Sequence, residues 1–120
     1  MSELLIACFT VNRLIPHFNL VVSEILNHSY DIVAIVETFL DKREILDSAI
    51  KIQGYNLIRC NRDRKLGGGV LIYIKSCITA KVLNSSNLSG SLSDYLIVEL
   101  ECMSKKLLFG LIYRPPRVEH

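Results

Sequence analysis

The chain has 120 residues, 50% of them hydrophobic and 22% charged, with a formal net charge of +2. This is one domain's worth of chain or less, since domains typically run ~100–150 residues, and the composition excludes a disordered chain. A charge balance this even does not by itself announce a nucleic-acid partner, and no apolar run approaches the ~18 residues that span a bilayer, so no membrane partner is expected.

Residues 4–10 read as a buried strand. Residues 17–28 place Phe18, Val21, Val22, Ile25 and Leu26 on one face at helical spacing, with Pro16 at the start. Residues 31–37 form a short β-branched run without alternation, as expected of a strand covered on both faces. This order predicts neighbouring parallel strands joined by a crossover helix. Residues 38–53 are polar and helix-tolerant, with a short helix expected within 44–52. After Gly54 come strands at 55–60, 70–75, 78–83, 95–101 and 106–113. Between them lie a charged loop at 61–66, the glycines Gly67, Gly68 and Gly69, and a Ser/Asn/Gly-rich loop at 84–94. Leu96, Val98 and Leu100 alternate with Ile97, Glu99 and Glu101, which gives that strand one wetter face. Ser104 and Lys105 are expected to turn a hairpin, and Pro115 and Pro116 to end pairing by removing amide donors. With no repeat and no linker, residues 1–120 read as one domain.

A mean hydropathy of +0.32 is high for so short a chain. Small domains bury a lower share of their surface, so these strands are expected to be covered by more polypeptide than 120 residues supply. Cys8, Cys60, Cys77 and Cys102 form no CxxC pair, so neither a zinc signature nor a disulfide framework is present. Cys8, Cys77 and Cys102 lie in strand-like apolar settings and are expected to be buried reduced thiols. The first residues carry an acid, Glu3, where a signal peptide needs bases. An intracellular location is expected, the nucleus included.

Four stretches carry candidate chemistry. Glu37 ends an apolar strand, and a carboxylate on a rigid strand tip suits Mg²⁺, which takes few protein ligands; a Glu there also simply ends a strand or favours the next helix start. Asn12 follows the first strand and would lie beside Glu37 if the first two strands are neighbours, although Asn equally caps helices and turns. Arg62 and Arg64 stand in a basic loop running into three glycines, which suits either a grip on phosphate or a solvated turn. Tyr113 and Arg114 close the last strand as a phenol and a guanidinium, able to bond phosphate oxygens or to cap the core edge. His17, His28 and His120 show no metal or triad spacing. Charge follows the same division. Residues 24–50 hold six acids against two bases, residues 59–65 four bases against one acid, and residues 105–117 four bases and no acid.

Taken as an ordered set, these stretches resemble the endonuclease/exonuclease/phosphatase superfamily, and within it the apurinic-endonuclease-like domain that non-LTR retrotransposons encode ahead of reverse transcriptase. The matching stretches are residues 31–40, residues 62–75 and residues 112–116. The resemblance implies an α/β fold, a four-layer α/β sandwich of which this chain is a truncated part. It also implies Mg²⁺, DNA as partner, hydrolysis of a phosphodiester, and fusion to a reverse transcriptase in the full element. It places Glu37 on the metal-binding Glu, Asn12 on the Asn of the first motif and Tyr113 on the active-site Tyr. Arg62, Arg64 and Arg114 are expected as nucleic-acid contacts on their charge and position alone. The chain departs from the pattern at Asn12-Arg13-Leu14, where Asn-x-Arg-Ser is usual, and at Phe39, where Trp is common. The downstream Gly-Asp-Phe-Asn-like and Ser-Asp-His-like motifs are not among the 120 residues. The expectation is therefore a fragment of a Mg²⁺-dependent DNA endonuclease, inactive as given. A non-enzymatic nucleic-acid-binding remnant and a phosphatase of the same superfamily are the alternatives.

Overall fold

A computed structural model of the protein describes residues 3–40, 46–60, 69–86 and 94–114. Strand β1 (Ile6–Thr10) leads into helix α1 (Leu14–His28), which returns the chain to β2 (Ile32–Val36). A short 3-10 helix at Asp47–Ile50 precedes β3 (Tyr55–Cys60) and β4 (Val70–Lys75). The strands β5 (Thr79–Ser85), β6 (Asp94–Cys102) and β7 (Lys105–Tyr113) follow. One sheet has the order β1-β2-β4-β3 and the other β5-β6-β7. The β1–β2 pair is parallel, as the strand–helix–strand order requires, and the remaining pairs are antiparallel.

The two central strands explain the layering. Val33, Ile35, Leu71 and Tyr73 face α1, where Leu14, Val21 and Ile25 meet them. Ile32, Ala34, Ile72 and Ile74 face the opposite way, onto Leu96, Val98, Leu100 and Leu111 of the second sheet. Helix, sheet and sheet thus form three layers. Covering both faces is why β2 and β4 are continuously apolar, and covering one face is why β6 alternates. Each such side chain taken fully out of water contributes ~1.5–3 kcal/mol, so the sandwich rather than local propensity holds the elements. On the outward face of the second sheet, Leu108 and Ile112 remain 65% and 71% exposed. Part of the high apolar content lies there.

Several expectations are corrected. Cys60 is the buried thiol, whereas Cys8 and Cys77 are exposed and Cys102 is intermediate; all four are free. Cys77 lies in the turn between β4 and β5, and β1 is an edge strand whose Cys8 face the second sheet does not cover. Leu26 is exposed because the buried stripe runs through Leu14, Val21 and Ile25, with Phe18 and Val22 beside it. The hairpin turns at Met103 and Ser104, one residue early, with positive φ at both (51° and 67°). That pair suits a two-residue mirror-image turn matched to strand twist, although neither residue is the Asn or Gly usual there. Among the described residues no helix is long and apolar enough to cross a membrane.

Tyr73 gives the core a pH dependence. Its hydroxyl donates to the Ile50 carbonyl at 2.6 Å inside the helix-side core. Burial pushes the phenol well above its ordinary value of 10.0, and Arg59 opposes this only in part. The Tyr55 phenol is raised for the same first reason. Because the folded values exceed the unfolded one, their contribution is intact below pH 10 and is lost as pH rises beyond it. Chemical denaturation between pH 8 and 12 is expected to show stability falling above about pH 10, with a smaller fall in Tyr73→Phe. At neutral pH that variant is expected to lose about 1–3 kcal/mol, because the Ile50 carbonyl is left without its donor.

Candidate active site

At one end of the sandwich the segments after β1 and β2 hold each other. Val11 N–H donates to the Val36 carbonyl (3.2 Å), Arg13 N–H to that of Glu37 (2.9 Å) and Leu14 N–H to that of Thr38 (2.9 Å). Helix α1 therefore begins on carbonyls borrowed from the loop after β2. Arg13, at the N-cap, makes no side-chain capping bond. This lacing requires left-handed backbone at four residues that carry a Cβ: Asn12 (φ 48°), Arg13 (85°), Glu37 (59°) and Phe39 (53°). Such residues cost on the order of 1–3 kcal/mol each and cluster where function over-determines the backbone. The Arg13 guanidinium also stands 5.3 Å from the Phe39 ring centroid, tying the two loops by a cation–π contact.

The second sheet supplies the other half. Tyr113, the last residue of β7, donates its hydroxyl to Glu37 Oε1 at 2.5 Å. Two residues 76 apart in sequence, each closing an apolar strand, thus meet across the sandwich. A phenol donating to a carboxylate is a charge-assisted bond, stronger than a neutral one. Among the described residues, Oε2 of Glu37 has no hydrogen-bond or ion-pair partner. Asp94, opposite Tyr113 in the β6–β7 ladder, is 4% exposed, and its Oδ2 accepts the Gly69 N–H at 3.0 Å. The Gly69 carbonyl in turn accepts the Thr38 N–H at 3.3 Å. Beside these, Cys60 Sγ and Ser86 Oγ lie 2.8 Å apart, and Ser86 Oγ accepts the Tyr95 N–H.

The structure therefore brings Glu37 and Tyr113 together and sets Asn12 beside Glu37 through its backbone neighbours. The Asn12 side chain is exposed and has no hydrogen-bond partner among the described residues. Arg114 is exposed next to Tyr113. Arg62 and Arg64 lie outside the described residues. Sequence reasoning missed Asp94, Thr38, Arg13 and the part played by Gly69. For Asp94 a signal existed: it shares the parity of Leu96, Val98 and Leu100, so it had to face inward. A hard divalent cation fits this donor set, which offers one carboxylate with an available oxygen and an adjacent amide-bearing residue. Among the described residues no three His, Cys, Asp or Glu side chains converge, so any such ion would lean on water and substrate oxygens.

Residues 9–109 match the model of the endonuclease/exonuclease/phosphatase family. The chain belongs to this family. No curated protein sequence matches it, but 31 solved chains do in fold. One is the 3′ phosphatase NExo from Neisseria bound to product DNA hairpin, with 16% identity, a TM-score of 0.63, and coverage of 88% of this chain and 40% of that one. Another is the AP endonuclease LMAP from Leishmania major, with 17% identity, a TM-score of 0.65, and coverage of 91% and 38%. A third is humanized D. rerio TDP2, with 15% identity, a TM-score of 0.65, and coverage of 95% and 49%. At these identities the likeness shows the fold, here the helix–sheet–sheet part of the family's α/β sandwich. The chain spans 38 to 49% of the length of these solved relatives.

Proposed function

We propose that these residues are the metal-binding, N-terminal part of a Mg²⁺-dependent DNA endonuclease of the non-LTR retrotransposon type, and that they do not turn over substrate alone. The observation that carries this reading is the bond from Tyr113 to Glu37, which assembles a carboxylate and a phenol at the ends of two strands from different sheets. Glu37 would hold the ion through its available oxygen, and the bound ion would neutralise charge on a phosphodiester. Tyr113 keeps that carboxylate in one orientation by giving its single phenolic proton to Oε1, and it would donate to a substrate phosphate oxygen only by exchanging that bond for a new one. Asn12 stands beside Glu37 for the same substrate, and Arg114, with Arg62 and Arg64, supplies positive charge along the DNA backbone. In the full element a reverse transcriptase would follow, and an intracellular, nuclear site of action suits a DNA substrate. DNA as partner gains support from NExo, solved bound to product DNA hairpin.

General-base activation of water is worth roughly 10²–10⁴-fold, and no His, Asp or Asn from the family's later motifs is among these residues. The 120-residue chain is accordingly expected to leave supercoiled plasmid intact with Mg²⁺, while a longer reading frame carrying those motifs nicks it. Mg²⁺-dependent nicking by the short chain would refute the inactivity. A longer protein that releases phosphate from a 3′-phosphorylated oligonucleotide without nicking would replace the endonuclease by a phosphatase, the activity named for NExo. Salt-sensitive DNA binding that survives Glu37→Ala, with no hydrolysis from either form, would leave only the nucleic-acid-binding remnant.

A further inference from the structure

We infer that Asp94 is a positioning residue for the Glu37–Tyr113 pair, acting through a hydrogen-bonded relay that crosses the sandwich; the inference rests on the reading of that pair as the working site. Asp94 is an acid 4% exposed at the first position of β6, and its Oδ2 accepts the Gly69 N–H at 3.0 Å. Gly69 immediately precedes β4, and its carbonyl accepts the N–H of Thr38, the residue after Glu37. Thr38 is 1% exposed and its own carbonyl accepts the Leu14 N–H. The same Asp94 is the ladder partner of Tyr113. One buried carboxylate is thus joined to both members of the pair, to Tyr113 by strand register and to Glu37 through Gly69 and Thr38.

Geometry also says why a carboxylate stands where an apolar side chain would continue the pattern of Leu96, Val98 and Leu100. The Gly69 N–H points into the space between the sheets, and a buried donor left unmade costs ~1–3 kcal/mol. A core leucine at position 94 would leave it so. Glu37 holds left-handed backbone at φ 59°, a conformation that persists only while its neighbours fix it. Thr38 is fixed by two bonds, one reaching Asp94 by way of Gly69. Loosening Gly69 would remove one of the two bonds that fix Thr38, and with it part of what sets the direction of the Glu37 carboxylate.

The test uses the 120-residue chain with Asp94→Ala, Asp94→Asn, Glu37→Gln and the unmodified protein, all monitored by NMR and by Mn²⁺ titration. In Asp94→Ala the Gly69 and Thr38 amides are expected to exchange faster while those of Ile72 and Tyr73, in the middle of β4, keep their protection. The Tyr113 ring resonances are expected to move, and Mn²⁺ affinity to fall about 10-fold or more, as for groups that orient a metal ligand. Asp94→Asn keeps an oxygen for the Gly69 N–H and is expected to recover most of the affinity, which also guards against a folding failure in the Ala variant. Faster exchange at Gly69 and Thr38 with an unmoved Tyr113 ring and unchanged Mn²⁺ affinity would overturn the inference and leave Asp94 a structural brace. If Glu37→Gln does not change Mn²⁺ affinity, the metal reading fails instead, and the inference stands or falls on the Tyr113 ring alone.

Discussion

Glu37→Gln is expected to abolish most of the divalent-cation response of this protein while leaving its fold unchanged. Gln keeps the shape of the side chain and an oxygen that can accept the Tyr113 hydroxyl, now 2.5 Å from Glu37 Oε1. What it removes is the charge. For the 120-residue chain, Mn²⁺ affinity measured by electron paramagnetic resonance should fall at least tenfold, about 1.4 kcal/mol. In a longer protein carrying the later motifs, nicking should fall on the order of 10²–10³-fold, as when one electrostatic contact to a transition state is lost. Unchanged cation binding alongside an unchanged thermal midpoint would show that Glu37 only ends its strand.

Gly69→Ala is expected to be the most damaging single substitution by number of atoms added. Gly69 has φ +90°, and a Cβ there would meet Thr38 Oγ1 at 2.5 Å. Left-handed backbone at an alanine costs ~1–2 kcal/mol, and overpacking a filled core typically adds ~1–3 kcal/mol. A loss of about 2–5 kcal/mol is therefore expected in urea denaturation, with weakened cation binding because Thr38 follows Glu37. Gly110→Ala is the control. A Cβ at that position finds nothing within 4 Å, its φ is not left-handed, and stability should move by no more than about 0.5 kcal/mol. Equal effects at the two glycines would exclude the steric account.

The strands were legible because pattern and burial coincide in them. Residues 55–60 and 70–75 read from the sequence as strands with the bounds that β3 and β4 show, and continuous apolar runs in β2 and β4 announced coverage on both faces. Cys77 was misread because it falls in a turn rather than a strand, and Cys8 because sequence texture does not tell a central strand from an edge. Cys8 lies in an apolar run, yet β1 is an edge strand on which that residue is exposed. The helix start was misread for a related reason. Pro16 suggested a helix beginning near residue 17, but α1 begins at Leu14 because the Glu37 and Thr38 carbonyls accept the Arg13 and Leu14 amides. No residue near Arg13 could signal a cap supplied from beyond β2.

The site divides along the same line. Sequence alone determined which side chains stand at strand ends, since apolar runs close at Glu37 and Tyr113, whereas Asp94 read as the end of a loop and proved to be the first, inward-facing residue of β6. The strand ends are local facts, set by a period of two and by the need to bury apolar surface. Tertiary structure alone decided that Glu37 and Tyr113 share a hydrogen bond, that Asp94 reaches Gly69, and that four non-glycine residues hold left-handed backbone around them. Those contacts join the two sheets or the two loops, so their partners are far apart in the chain. Only the packing of the sheets brings them within hydrogen-bonding distance.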